Sequence, residues 1–129
     1  MRIEHYFRRI QDALEDCQVA RSFDVTYDKR GTYEGFVRGE LYLVDGSTLH
    51  FRESVDAETA PQRLAYVYQY MDSGRRLVFR YDNTGHHKRL ELSSYPDHKH
   101  EGSEHNVMPS SAPTLSQVLR EIEDRIAFS

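Results

Sequence analysis

Glu40-Leu41-Tyr42-Leu43-Val44-Asp45-Gly46-Ser47-Thr48-Leu49-His50-Phe51-Arg52 is the stretch that decides the fold. Apolar and polar residues alternate on both sides of Asp45-Gly46, as in two half-buried strands joined by a tight turn. Loop length then settles which side chains share a face. A two-residue Asp45-Gly46 loop would set Tyr42 opposite Leu49 and mix the two patterns. A three-residue Val44-Asp45-Gly46 loop, closed by a left-handed glycine, sets Leu41 opposite Leu49 and Glu40 opposite His50. A slip of one residue moves every side chain to the other face, so the longer loop is strongly preferred.

The same reasoning extends outward. Asp28-Lys29-Arg30-Gly31 and Asp72-Ser73-Gly74 carry the same turn signal. They pair Phe23 with Val37, Val67 with Phe79 and Tyr66 with Arg80. One face then collects Phe23, Val25, Val37, Leu41, Leu43, Leu49, Phe51, Val67, Leu77 and Phe79. The opposite face collects Arg38, Glu40, Tyr42, His50, Arg52, Tyr66, Tyr68, Tyr70, Arg80 and Asp82. Ile3, Tyr6, Phe7, Ile10, Leu14 and Cys17 recur at helical spacing, as do Leu115, Val118, Leu119, Ile122 and Ile126. Thr114 with Gln117 makes a capping box ahead of the second stripe. The segment from His100 to Ser111 reads as a surface loop. Both helices need an apolar partner. The expected fold is therefore α+β. A single domain over residues 1–129 holds a mostly antiparallel meander of five or six strands, with the N- and C-terminal helices packed on one face.

Composition narrows the classes of function. The 129 residues include 17 basic and 21 acidic side chains, a formal charge of −4, so bulk charge does not draw this chain to nucleic acid. A local basic site remains open. Cys17 is alone, which rules out an internal disulfide. No apolar run approaches a membrane span and no signal-peptide core is seen, so no membrane partner and a cytoplasmic location are expected. There is no phosphate-binding glycine loop, dinucleotide fingerprint or nucleophile elbow.

Two chemistries remain. An ordinary solvated sheet face is rich in Thr, Lys and Glu, whereas this one carries arginines, tyrosines and a histidine. Arginine forks match phosphate, and tyrosine rings stack on bases. Metal-independent RNA cleavage needs a base, an acid and cations for the phosphate. Glu40, His50, Arg80, Asp82, His86, His98 and His100 are the candidate catalytic residues. Arg38, Arg52, Tyr66, Tyr68 and Lys99 are the candidate RNA contacts. Surface ion pairing of Glu40–Arg52 or Asp82–Arg80 is the plainer account of the charges. The second chemistry is a metal site. His98-Lys99-His100 puts both imidazoles on one side of an extended segment, and His86 or His87 with Asp82 completes three or four ligands. No cofactor is expected on the first reading; a metal through His86, His98 and His100 belongs to the second. A non-catalytic RNA- or protein-binding module would use the same surface, and a metal-dependent hydrolase is the third class.

Several elements together resemble the TumE-like family of toxin components. They are Gly39-Glu40-Leu41, Asp45-Gly46-Ser47-Thr48-Leu49, Phe51-Arg52-Glu53, Tyr66-Val67-Tyr68-Gln69-Tyr70, Phe79-Arg80-Tyr81-Asp82-Asn83, His86-His87 and Pro96-Asp97-His98-Lys99-His100, with a C-terminal helix around Leu119 to Ile122. Gly85 departs from the proline expected before the histidine pair. The resemblance implies the toxin of a type II toxin–antitoxin system. Its partner would be a cognate antitoxin, a helix-turn-helix DNA-binding protein encoded beside it.

Overall fold

The Gly46 turn forms as the loop-length argument requires. In a computed structural model describing residues 1–85 and 92–128, Leu43 N–H donates to Ser47 O at 2.9 Å and Gly46 N–H to Leu43 O at 3.0 Å. Gly46 has φ +86°, the left-handed region that glycine enters without steric cost. Leu41 faces Leu49 and Glu40 faces His50.

Around this hairpin runs an antiparallel meander of seven strands in chain order: β1 (Ala20–Lys29), β2 (Glu34–Leu43), β3 (Thr48–Asp56), β4 (Gln62–Met71), β5 (Leu77–Asp82), β6 (His98–Glu101) and β7 (Val107–Pro109). Helices α1 (Ile3–Asp16) and α2 (Leu115–Ala127) bury Ile10, Leu14, Val118, Leu119 and Ile122 against one side of the sheet. The fold is the expected α+β arrangement with two strands more than the lower count. Strands β6 and β7 reach into the segment expected to be a surface loop at His100–Glu101 and Val107–Pro109, with a loop left between them. Thr114 caps α2 reciprocally: its Oγ accepts Gln117 N–H at 3.3 Å and its N–H donates to Gln117 Oε1 at 2.9 Å. No helix among the described residues is long and apolar enough to cross a membrane.

The β1–β2 register differs from expectation by four residues: the expected partner of Phe23 is Val37. Phe23 faces Leu41 and Tyr27 faces Val37, because the loop closes between Arg30 and Glu34. A shift by an even number of residues preserves the faces. The observed register sets Val25 across from Gly39, where a Cβ would lie 2.7 Å from the Phe51 ring and 2.9 Å from Asp24 O. Only glycine fits beneath that ring.

Strand β4 requires a real correction. Tyr66, Tyr68 and Tyr70 point into the core, not onto the open face; they are 3%, 0% and 4% exposed. Val67 and Gln69 take the open face instead. Two local features cause this. The turn residues are Ser73-Gly74-Arg75, with Arg75 left-handed at φ +61° and Asp72 Oδ1 accepting the N–H groups of Gly74 and Arg76, both at 2.9 Å. A bulge then follows: Met71 faces Leu77 but Tyr70 faces Phe79. The extra residue, Val78, packs on the core, and Leu77 leaves the face assigned to it. Three tyrosine rings bury more apolar area than Val67 would. Their hydroxyls also find partners: Tyr68 donates to Glu53 at 2.7 Å, Tyr70 to Ser47 Oγ at 2.9 Å and Tyr66 to Asp97 at 2.5 Å.

Two predictions follow from this packing. A left-handed non-glycine residue costs about 1–2 kcal/mol, so Arg75→Gly should raise the urea midpoint by the equivalent of about 1 kcal/mol; an unchanged or lower midpoint would contradict the turn. Burial, reinforced by neighbouring carboxylates, holds the hydroxyls of Tyr6, Tyr66 and Tyr68 above the usual tyrosine range and pushes Tyr27 up to about 12. A raised folded-state pKa contributes stability below the unfolded value of about 10, and that contribution is lost as pH climbs. Stability should therefore fall above about pH 10, with the buried phenolates appearing only as the chain unfolds. Absorbance of these phenolates ahead of the loss of circular dichroism would contradict the packing.

Candidate functional site

Two transverse rows of directly paired residues cross the open face. The first runs Thr26, Arg38, Arg52, Val67, Asp82, His98. The second runs Asp24, Glu40, His50, Gln69, Arg80, His100. Residues opposite one another in a ladder project to the same side, and neighbouring strands lie about 4.8 Å apart. Eight of the expected site residues thus occupy two adjacent lines. Val67 and Gln69 of β4 divide them into an exposed half and a buried half.

In the exposed half, Arg38 lies directly opposite Arg52. Both side chains are exposed, and neither makes an ion pair or hydrogen bond to a described residue. Like charges directly opposite across a ladder are unfavourable. Beside them, His50 Nδ1 lies 3.4 Å from Glu40 Oε1, with both side chains about half exposed at 42% and 52%. The Tyr42 hydroxyl donates to Glu40 Oε2 at 2.9 Å. Two shallow depressions share Glu40 and His50 on their rims. One extends over Thr26 and Arg38, the other over Thr48, Gln69 and Met71.

The other half is closed. Asp82, His98 and His100 are 0%, 1% and 1% exposed. Asp82 Oδ1 accepts Thr84 N–H at 3.0 Å and the Thr84 hydroxyl at 2.9 Å, and lies 2.8 Å from His98 Nε2. Its Oδ2 accepts Arg80 Nε–H at 3.0 Å and lies 3.6 Å from His100 Nε2. Arg80 also donates to Glu104 Oε1 at 2.9 Å and approaches His100 Nε2 at 3.3 Å. His98 Nδ1 lies 2.9 Å from Pro96 O, and His100 Nδ1 2.8 Å from Glu104 O. A carbonyl only accepts, so each Nδ1 carries a proton and each Nε2 is turned toward Asp82. Burial by itself would raise the Asp82 carboxyl. The Thr84 N–H and hydroxyl, His98 and Arg80 outweigh it and hold the group below the ordinary carboxylate range.

The remaining expected residues are elsewhere. Tyr66 and Tyr68 belong to the core side of the sheet, so their expected place among the open-face RNA contacts is corrected. Lys99 also faces that side, with Nζ 2.7 Å from Glu101 and 5.0 Å from the Tyr81 ring centroid. His86 and His87 lie outside the described residues. Thr84 and Glu104 were not anticipated. Asp82-Asn83-Thr84 has the Asx-turn pattern that marks the first; nothing local marks Glu104, which reaches Arg80 from the β6–β7 loop.

A family model described as Toxin TumE matches residues 9–126. The chain belongs to the TumE toxin family. The matched span takes in both rows of the open face, all seven strands and most of both helices. Membership in the TumE family makes this chain a toxin component and implies a cognate antitoxin. No curated protein and no solved structure matches the chain.

Breaking a buried ion pair typically costs about 3–5 kcal/mol. Asp82→Asn should therefore lower stability at neutral pH by about 3 kcal/mol. Because the folded carboxyl is depressed, its contribution is complete above the unfolded value of about 4 and disappears as pH falls through the folded one. The gap between wild type and variant should close in acid. Denaturation midpoints that stay equally far apart from neutral pH down to strong acid would show that charge is not the cause.

Proposed function

We propose that this TumE toxin is an endoribonuclease whose chemistry lies on the exposed half of the open face. The supporting observation is the Glu40–His50 pair beside two unpartnered arginines. A carboxylate and an imidazole suit the two proton transfers, and Arg38 and Arg52 supply planar cationic forks for one phosphodiester. In the proposed step Glu40 takes the proton of the ribose 2′-hydroxyl. The 2′-oxygen bonds to phosphorus, and the bond from phosphorus to the 5′-oxygen breaks. Protonated His50 gives its proton to that leaving oxygen. The products are a 2′,3′-cyclic phosphate and a 5′-hydroxyl. Arg38 and Arg52 offset the charge that builds on the pentavalent phosphorane.

Arg80 stands two strand spacings from His50, about 10 Å away on the same row. Its side chain is 24% exposed, so it can meet a neighbouring phosphate. Asp82, His98, His100 and Glu104 act on this reading as positioning residues, fixing the guanidinium from behind. The antitoxin, which we take to be a helix-turn-helix DNA-binding protein, would silence the toxin by laying an acidic or extended segment over Arg38 and Arg52.

His50→Ala and Glu40→Gln should each reduce cleavage by about 10²–10⁴-fold. Arg38→Ala/Arg52→Ala should release growth arrest on induction. All four residues are solvent-facing, so circular dichroism should remain that of wild type. The wild-type rate should trace a bell in pH, and each single variant should lose one limb. Full growth arrest by a folded Glu40→Gln/His50→Ala protein, or RNA products ending in a free 3′-hydroxyl, would overturn the scheme.

A further inference from the structure

We propose that Asp82, His98 and His100 bind one divalent transition-metal ion of the zinc class, through a carboxylate oxygen and the two Nε2 atoms. This site lies apart from the Glu40–His50 chemistry and does not depend on it. The three ligand atoms lie within 4.8 Å of one another, and all three side chains are buried. Two strands carry them. Asp82 on β5 faces His98 on β6, and His100 follows two residues later on the same side.

The donor set is the argument. With Nδ1–H engaged by Pro96 O, a neutral His98 presents a lone pair at Nε2. Asp82 Oδ1 also presents only lone pairs. Two such atoms at 2.8 Å repel unless a cation lies between them. A proton can serve His98 alone, whereas a metal ion serves all three groups. Around an ion with bonds of about 2.0–2.1 Å in tetrahedral geometry, ligand atoms stand roughly 3.3 Å apart. The two carboxylate oxygens straddle that value, Oδ1 at 2.8 Å from His98 Nε2 and Oδ2 at 3.6 Å from His100 Nε2.

The surroundings match as well. Metal-binding histidines commonly donate their other ring N–H to a carbonyl, which fixes tautomer and orientation, and both histidines here do so. Ligating carboxylates are in turn hydrogen-bonded, and Thr84 and Arg80 hold Asp82. Arg80 keeps Oδ2 and Glu104 when the ion enters and gives up its approach to His100 Nε2. Two imidazoles and one carboxylate suit a borderline ion such as Zn²⁺ over Mg²⁺ or Ca²⁺. The ion would tie β5 to β6 at the edge where the meander narrows to short strands.

Untagged wild-type protein, stripped with chelator and dialysed, is titrated with Zn²⁺ by calorimetry and examined with Co²⁺ by absorption. We expect one ion per chain, a Co²⁺ spectrum of nitrogen and oxygen ligation, and a raised melting temperature with Zn²⁺. Changes in outer-shell partners alone alter affinity by about 10–100-fold, so His98→Gln and His100→Gln should each weaken binding at least tenfold. Glu40→Gln should bind as wild type. Where a histidine variant fails to fold, histidine NMR of the wild type serves instead, with Nε2 resonances of two residues shifting on Zn²⁺ addition. A folded wild type that takes up no stoichiometric ion overturns the proposal. So does undiminished binding by the folded His98→Gln/His100→Gln protein.

Discussion

Glu53 places a carboxylate in the middle of the core at 1% exposure. An ion there must be surrounded by donors, or the fold loses several kcal/mol. Tyr6 of α1 and Tyr68 of β4 both donate to it. Arg63 donates to the Tyr68 hydroxyl at 3.1 Å, lies over the Tyr66 ring at 4.2 Å, and grips the carbonyls of Pro113 and Ala112 at 2.7 and 2.8 Å. One buried charge thereby ties α1, two central strands and the segment leading into α2 to a common point. Ala112 is left-handed at φ +54° where its carbonyl is held, a conformation a non-glycine residue adopts when its surroundings over-determine it.

The open face follows from this constraint. Glu53 can be satisfied only if Tyr68 points inward, and β4 must then present Val67 and Gln69 on the other side. These two uncharged residues separate the exposed Glu40–His50 and Arg38–Arg52 pairs from the closed Asp82–His98–His100 cluster. Exposure divides the two halves: Glu40 and His50 are about half exposed, whereas Asp82, His98 and His100 are buried beside Arg80. Arg80 joins the halves, being anchored to Asp82 behind and open to solvent in front.

Much of this arrangement is readable from local patterns. The two helical stripes, the Thr114–Gln117 cap and the Gly46 turn each depend on residues a few positions apart, where sterics and hydrogen bonding act without regard to the rest of the chain. The pairing of Glu40 with His50 and Arg38 with Arg52 follows directly from the length of one loop. The exposed half of the site was therefore legible as geometry from the sequence alone.

Tertiary structure decided what lies beyond β3. Alternation along β4 reads equally well with the tyrosines in or out, and a single bulged residue, Val78, inverts β5 relative to β4 without leaving a mark in composition. Glu53 selects the inward choice from 15 residues before Tyr68, joined by Tyr6 from 47 residues further back, while Arg63 acts from within β4 itself. The burial of Asp82 is of the same kind. Whether a carboxylate and two histidines stand in water or in the interior depends on what packs over them; Arg80 and Thr84 are local to Asp82, but Pro96 and Glu104 come from turns whose position no local rule specifies.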